Sequence, residues 1–140
     1  MNKLCYNHIR QFMYSKELGK MIKVLVIDDD PMMLKMAGLL LKKAGCETVS
    51  ALSADEGEAL IPTEKPDLVL ADNEMPVRTG MELFEKLRAQ GCTVPLCIMT
   101  GTVTDEIEEQ ASRLGADCIG KPLVIAKVNE IVSKTENGGR

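Results

Sequence analysis

Long hydrophobic runs are missing from this sequence. A helix that crosses a bilayer needs about 20 consecutive, predominantly apolar residues, and no apolar stretch in the chain approaches that length. There is also no positively charged segment followed by an apolar stretch, which is the pattern of a secretory signal peptide. We therefore expect a soluble, cytoplasmic protein with no membrane partner.

Paired cysteines are missing as well. No two cysteines form a Cys-x-x-Cys pair, and the total of five is odd. Zinc sites and disulfide frameworks normally need paired, regularly spaced cysteines. We expect reduced thiols packed as small hydrophobic side chains in a cytosolic protein. The five residues are Cys5, Cys46, Cys92, Cys97 and Cys118.

An excess of positive charge is the third feature that the chain lacks. The net charge is −4, which argues against direct nucleic-acid binding through a broad basic face. Residues 1–20 hold four basic side chains and one acidic one, so the other 120 residues carry a net charge of −7. The acidic part therefore corresponds to the folded body. The only histidine, His8, lies in the basic segment and receives no catalytic role.

What the sequence does contain is a regular alternation of strand-like and helix-like segments. The length of 140 residues and the 45% hydrophobic content fit one globular domain. Short apolar, β-branched runs predict buried strands, and each is followed by a helical pattern; Pro62 is expected to end the second helix. This order predicts an α/β fold, a doubly wound five-stranded parallel sheet with helices on both faces. The predicted strands are 22–27, 46–52, 67–71, 94–99 and 116–120.

The pattern divides the chain into three parts. Residues 21–135 form the folded domain, residues 1–20 an N-terminal extension that is helical or disordered, and residues 136–140 a C-terminal tail. The extension is expected to have no chemistry; alternatively, it forms a helix that pairs subunits or binds a partner. The apolar face of that helix would consist of Leu4, Cys5, His8, Ile9, Phe12 and Met13.

Polar side chains follow four of the predicted strands, at the point where each strand ends. Because parallel strands end at the same edge of a sheet, and ligands of open α/β sheets bind there, we expect these side chains to meet. Clustered carboxylates repel one another or recruit a cation, and oxygen ligands suit Mg²⁺. A carboxylate can also act as a nucleophile on phosphorus. Taken singly, each residue could serve as a helix cap or turn residue. They are Asp28, Asp29, Asp30, Asp72, Thr100 and Lys121.

Four segments carry these residues, and as a set they resemble the motifs of bacterial response regulator receiver domains. The segments are 24–31 (VLVIDDDP), 67–76 (DLVLADNEMP), 99–101 (MTG) and 120–122 (GKP). The resemblance covers roughly residues 21–134 and implies the flavodoxin-like strand order 2-1-3-4-5. It also implies a phosphorylation-dependent switch of a two-component system. Such a protein is not an enzyme, beyond self-phosphorylation from small donors and autodephosphorylation.

The resemblance also assigns roles at the site. Asp72 would be the phosphoacceptor, and Asp29 a direct Mg²⁺ ligand. Asp28 would act on the metal chiefly through water, and the backbone carbonyl of Glu74 would complete the ligands together with Asp72. We assign Asp30 to capping the first helix rather than to the metal.

The other two roles concern the phosphoryl group. Thr100 would be the switch residue that moves toward the phosphate, and Lys121 its ion partner. The implied partners are a sensor histidine kinase or phosphotransfer protein and a downstream protein or fused output domain; the chain itself would be a monomer or weak dimer.

The sequence departs from the usual family pattern at four positions, and none of them removes a catalytic group. Cys118 replaces the common aromatic switch residue, and Thr79 replaces the frequent acidic residue before Gly80. Gly101 replaces the common alanine after the switch threonine, and Leu123 replaces the usual phenylalanine after Lys-Pro. All four concern the output half of the mechanism.

Three other functions share part of this pattern. A phosphatase resembling the haloacid-dehalogenase superfamily shares the Asp-x-Asp spacing of residues 28–30 but needs a strand with acidic metal ligands after the lysine, whereas Lys121 is followed only by one predicted helix. A phosphorylation-independent pseudo-receiver would be expected to lack some of the site residues. A flavin-binding protein would need a Gly- or Ser/Thr-rich phosphate loop after the first strand.

Overall fold

A computed structural model describes residues 21–137 of the chain. Within this range five strands alternate with five helices. The strands are β1 (Lys23–Ile27), β2 (Glu47–Ala51), β3 (Leu68–Asp72), β4 (Leu96–Thr100) and β5 (Asp117–Gly120). The helices are α1 (Pro31–Lys43), α2 (Ala54–Glu64), α3 (Gly80–Ala89), α4 (Asp105–Arg113) and α5 (Ile125–Glu136). The predictions for residues 1–20, His8 and Cys5 included, lie outside the described residues, as do those for 138–140.

All five strands belong to one parallel sheet with the order β2-β1-β3-β4-β5. The predicted fold class and strand order are therefore confirmed. The register pairs Ile27 with Ala71, and Asp72 with Met99. Because all strands run the same way, their carboxyl ends lie along one edge of the sheet.

Each face of the sheet has its own hydrophobic core, because alternate side chains of a strand point to opposite faces. On β1, Val24 and Val26 pack against α1 and α5 on one side, while Leu25 and Ile27 pack toward α2, α3 and α4 on the other. All four of these side chains are at most 1% exposed. A central strand buried on both faces explains the continuous apolar run in the sequence.

The structure corrects several details of the helices. Pro62 does not end α2; the helix continues to Glu64, and Lys65 in the left-handed region (φ 49°) caps it. Proline removes only one hydrogen-bond donor, and this one stands in the last turn of the helix at an exposed position. The helical apolar pattern over residues 33–44 includes Met36, which is 42% exposed, and omits Leu41, which is buried.

In residues 21–137, no helix is both long and apolar enough to cross a membrane.

Candidate functional site

The backbone hydrogen bonds of the sheet extend past the strand ends and hold the candidate site residues in place. The N–H of Asp28 donates to the carbonyl of Ala51 (3.1 Å), and the N–H of Lys121 to the carbonyl of Thr100 (2.8 Å). The N–H of Asn73, directly after Asp72, donates to Met99 in the same way (2.8 Å). The site therefore stands on rigid strand ends rather than on independent loops.

Three of the predicted carboxylates meet at this edge. Asp28, Asp29 and Asp72 each offer an oxygen atom, and these atoms all lie within 4.8 Å of one another. Asp28 and Asp72 are only 1% and 2% exposed, while Asp29 is exposed to solvent. Three like charges at this distance disfavour the fully ionised state unless a cation joins them.

The carboxylate of Asp28 is only half satisfied. Its Oδ1 accepts a hydrogen bond from the N–H of Asp30 (2.9 Å). Its buried Oδ2 has no hydrogen-bond partner among the described residues, and the nearest cation, Lys121 Nζ, stands 3.7 Å away, beyond hydrogen-bond range. Burial raises the pKa of Asp28 to about 6, with a further contribution from the charge of Asp72; the hydrogen bond from Asp30 and the charge of Lys121 oppose the rise.

The carboxylate of Asp72 is held on one oxygen. Its Oδ1 accepts from the N–H of Glu74 (3.0 Å) and lies 2.8 Å from Lys121 Nζ. Burial of the Lys121 ammonium lowers its pKa, but the hydrogen bond to Asp72 and the nearby negative charges outweigh that effect and raise the pKa above the ordinary value. The lysine is therefore charged at neutral pH and placed directly at the proposed phosphoacceptor.

Thr100 completes the group, through a contact that the sequence did not predict. Its hydroxyl, buried to 2% exposure, lies 3.0 Å from Glu74 Oε1 and 3.1 Å from the carbonyl of Thr102. The N–H of Gly101 also donates to Glu74 Oε1. The family resemblance assigns a role only to the backbone carbonyl of Glu74. No pattern in the sequence signals that its side chain turns back toward β4.

Two contacts near Asp72 hold the first turn of helix α3 against the site. One is made by Asn73, the residue after Asp72, and the other by Gly80, which lies against the Asp72 carbonyl. The N–H of Met81 donates to Asn73 Oδ1 (3.1 Å). At Gly80, an added Cβ would lie 2.6 Å from the carbonyl oxygen of Asp72, closer than real side chains approach, so only glycine fits. The signal in the sequence was a glycine, a poor helix former, at the first position of a helix otherwise well capped by Thr79.

Two further predicted residues serve local structure. Asp30 Oδ1 accepts from the N–H of Met32 (3.0 Å) at the start of α1, which confirms the predicted helix cap. Cys118 lies half-buried on β5, beside Ile98 of β4. The four described cysteines are free thiols.

The donor set suits a hard divalent cation. The three carboxylates supply only oxygen ligands, the type that Mg²⁺ prefers. The unpartnered Oδ2 of Asp28 is a buried acceptor that calls for a cation or water. The residues present therefore fit the metal that the resemblance implies, at an edge that also carries an ammonium and a hydroxyl.

Comparison with known proteins adds an independent line of support. The family model described as "Response regulator receiver domain" matches residues 24–133. The two-component response regulator ARR22 of Arabidopsis thaliana is 33% identical over 119 residues, which cover 81% of this chain and 83% of the relative. The phosphate regulon transcriptional regulatory protein PhoB of Pseudomonas aeruginosa is 30% identical over 122 residues, 82% of this chain and 53% of the relative.

The chain spans about half the length of several of the transcriptional regulators that it matches. The coverage is 53% for PhoB and 47% for the probable transcriptional regulatory protein TcrX of Mycobacterium tuberculosis, which is 28% identical and matches 79% of this chain. The similarity therefore concerns one portion of those proteins.

Solved structures agree in fold. The chemotaxis protein CheY4 of Vibrio cholerae is 28% identical, with a TM-score of 0.71 over 84% of this chain and 97% of that one. The receiver domain of the Francisella response regulator 1452 is 27% identical, with a TM-score of 0.77 over 84% and 98%. The chain thus belongs to the response regulator receiver domain family, whose members are signalling proteins of two-component systems rather than enzymes.

Proposed function

We propose that this protein is a signalling switch that accepts a phosphoryl group on Asp72 with the help of Mg²⁺. The observation that carries the proposal is the arrangement around Asp72: a buried carboxylate in contact with the Lys121 ammonium at 2.8 Å, next to the unpartnered, buried oxygen of Asp28. Phosphoryl transfer to an aspartate requires a nucleophilic carboxylate, a fixed positive charge and carboxylate oxygens that can bind a metal ion.

The proposed metal ligands are the carboxylates of Asp28, Asp29 and Asp72 and the backbone carbonyl of Glu74. Asp29 would bind directly and Asp28 chiefly through water. The proximity of the three carboxylates supports this set, because a bound cation would relieve their mutual repulsion. The pKa of Asp28, which burial raises, supports it too, because a cation would also stabilise this buried carboxylate in its charged form. When bound, Mg²⁺ would neutralise charge that otherwise repels an incoming dianionic phosphoryl group.

The transfer step needs a phosphohistidine donor in addition to these groups. A carboxylate oxygen of Asp72 attacks the phosphorus atom of the phosphohistidine, and the P–N bond breaks as the imidazole, protonated on its other ring nitrogen, leaves as a neutral ring with the electron pair. The product is an aspartyl phosphate, which water later hydrolyses to inorganic phosphate and the free carboxylate. In the phosphorylated form Lys121 would pair with a phosphoryl oxygen and the Thr100 hydroxyl would donate to another.

The partners follow from the same reaction. The donor would be a sensor histidine kinase or a phosphotransfer protein, and the recipient of the signal a downstream protein or a fused output domain. Relatives about twice as long are transcriptional regulators by name, which supports an output unit outside the portion matched here. We propose residues 21–135 as the receiver unit, with residues 1–20 as an extension and 136–140 as a tail. It would act in the cytoplasm as a monomer or weak dimer without binding nucleic acid directly.

Asp72→Asn tests the proposal. We expect a small phosphodonor to add one phosphoryl group to the wild type only when Mg²⁺ is present, as measured by intact-protein mass spectrometry, and to add none to this variant. Asp67→Asn is the matched control, because Asp67 is also a buried aspartate beside β3 but at the opposite edge of the sheet; its folded fraction should be labelled normally. Full labelling of Asp72→Asn would refute the assignment.

The labelling experiment and a phosphatase assay separate the alternatives. A phosphorylation-independent interaction module would show no labelling of the wild type. A phosphatase resembling the haloacid-dehalogenase superfamily would turn over a chromogenic phosphate ester, which a receiver domain does not. In the described residues, Lys121 is followed by α5 and by no further strand, so the acidic strand that such a phosphatase needs has no counterpart there.

A further inference from the structure

The side chain of Glu74 makes a contact that the proposed phosphotransfer chemistry does not use. Its backbone lies in the exposed loop after β3, yet its carboxylate reaches across to the end of β4. There Oε1 accepts from both the Thr100 hydroxyl (3.0 Å) and the Gly101 N–H. One carboxylate oxygen thus engages two adjacent donors at the rim of the site.

These two donors are of the kind that a phosphoryl oxygen requires. A hydroxyl and a backbone N–H that converge on one point bind an anionic oxygen with charge-assisted hydrogen bonds. The proposed role of Thr100 is to donate a hydrogen bond to the phosphoryl group on Asp72. In the sheet, Asp72 lies beside Met99, the residue that precedes Thr100. In this structure both donors are engaged by an anion that belongs to the chain itself.

The end of β4 is shaped to accept that anion. A Cβ added at Gly101 would lie 3.2 Å from Glu74 Oε1, which is tighter than nine in ten real Cβ contacts, so the carboxylate would have to shift. Glycine at this position, one of the departures from the usual family pattern, therefore gives the carboxylate room. The Thr100 hydroxyl also has a second acceptor, the carbonyl of Thr102 at 3.1 Å, so it need not remain unpaired when Glu74 leaves.

Electrostatics favours the departure of Glu74 once Asp72 is phosphorylated. The negative charge of Glu74 is close enough to help raise the pKa of Lys121, after the larger contributions of Asp72 and Asp28. A phosphoryl group brings a charge of about −1.5 to −2 to the same edge. Two anions would then compete for the Thr100 and Gly101 donors and for the field of one lysine.

We propose that the Glu74 carboxylate is an internal competitor for the phosphoryl-binding donors: it holds the Thr100 hydroxyl and the Gly101 N–H in the resting state and must release them for the phosphorylated state to form. The proposal rests on the proposed function of Asp72 and Thr100. Glu74 is then a positioning residue that acts through Thr100 and Gly101. The apparent affinity of the site for a phosphoryl group is then the intrinsic affinity multiplied by the fraction of molecules in which Glu74 has released the two donors.

The first experiment measures the affinity for beryllofluoride, a phosphoryl mimic, in the presence of Mg²⁺. We expect Glu74→Ala to bind about three- to tenfold more tightly than the wild type, given the usual strength of a hydrogen bond to a charged group at a partly exposed site. Glu74→Gln keeps an acceptor oxygen without the charge and should fall between the two. Glu85→Gln, which removes the same charge from an exposed position on α3, should match the wild type.

The second experiment needs neither Mg²⁺ nor a phosphoryl mimic. The amide of Gly101 should exchange its hydrogen several-fold faster in Glu74→Ala than in the wild type, because the variant removes its acceptor, while Glu85→Gln should leave the rate unchanged. A general loss of stability would instead speed exchange throughout the sheet.

The outcomes are distinct. Equal beryllofluoride affinity in the wild type and both Glu74 variants would overturn the proposal, and so would an unchanged exchange rate at Gly101 in Glu74→Ala. Failure of every protein, the wild type included, to bind beryllofluoride would overturn the proposed function of Asp72 and this proposal with it. That result affects all variants alike, whereas failure of the competitor model alone leaves wild-type binding intact.

Discussion

The two edges of the sheet treat buried charge in opposite ways. At the amino-terminal edge, Asp67 is buried and accepts a hydrogen bond from the N–H of Lys23 (2.9 Å). At the carboxyl-terminal edge, Asp28 is buried with one oxygen unpartnered among the described residues, and a carboxylate oxygen of Asp72 lies within 4.8 Å of one of Asp28. One edge pairs its carboxylate; the other crowds carboxylates together.

The amino-terminal edge also has a cation whose hydrogen bonds hold loops together. The guanidinium of Arg88 donates to three backbone carbonyls in the loops before β4 and β5, at 2.7 to 2.9 Å. Lys121, at the other edge, pairs with side chains of the site instead. The fold therefore gains stability at one edge and accepts an electrostatic cost at the other, where we propose that the cost supports binding of a cation and a phosphoryl group.

Substitution of one aspartate at each edge should change stability in opposite directions, and this is the largest effect that we expect. In metal-free protein at neutral pH, Asp28→Asn should raise the free energy of unfolding by about 1–3 kcal/mol, because it removes a charge whose burial is only partly compensated. Asp67→Asn should lower the free energy of unfolding by about 1 kcal/mol, because it weakens a charge-assisted hydrogen bond. Urea denaturation in the presence of a chelator measures both.

The pH dependence of the same measurement provides its control. The pKa of Asp28 is raised from 3.8 to about 6 in the folded protein, so the folded state binds the proton more tightly than the unfolded chain. The cost of this group is therefore absent below the lower value, grows between the two and is complete above the higher one. The advantage of Asp28→Asn should disappear as the pH falls through that window. A loss of stability in Asp28→Asn at neutral pH would contradict the contrast between the edges.

Much of this contrast follows from the sequence. Alternating strand and helix patterns predicted a parallel sheet, and parallel strands bring their carboxyl ends together, so the meeting of Asp28, Asp72 and Lys121 was predictable. The contact of the Glu74 side chain with Thr100 was not, because a long side chain on a loop has many rotamers and its choice depends on β4. Continuation of α2 past Pro62 was equally hidden, because the local pattern does not show that this proline lies in the last turn, where it removes only one hydrogen-bond donor.

Asp29 and Asp30, which follow each other after β1, are expected to have different roles at the carboxyl-terminal edge. Asp29→Ala should weaken Mg²⁺ binding by about tenfold or more, because it removes a proposed direct ligand. Asp30→Ala should change the Mg²⁺ affinity by less than about threefold, since its exposed charge is screened. It should instead destabilise the fold by about 1 kcal/mol through loss of the α1 cap. Equal losses of Mg²⁺ affinity in a metal titration would mean that the two roles are wrongly assigned.

The smallest effect is expected from removal of residues 1–20. The first described residue, Met21, leads into β1 and so enters the sheet at its amino-terminal edge, the edge away from the carboxylates. All proposed ligands and phosphoryl contacts stand at the other edge, and substitutions at well-separated sites usually act independently to within about 0.5 kcal/mol.

A protein that begins at Met21 should therefore fold, bind Mg²⁺ within about twofold of the full chain and accept a phosphoryl group on Asp72. Mg²⁺ titration and phosphodonor labelling of the two proteins side by side measure this. A truncated protein that folds but loses Mg²⁺ binding would mean that the extension takes part in the site and that chemistry is not confined to one edge.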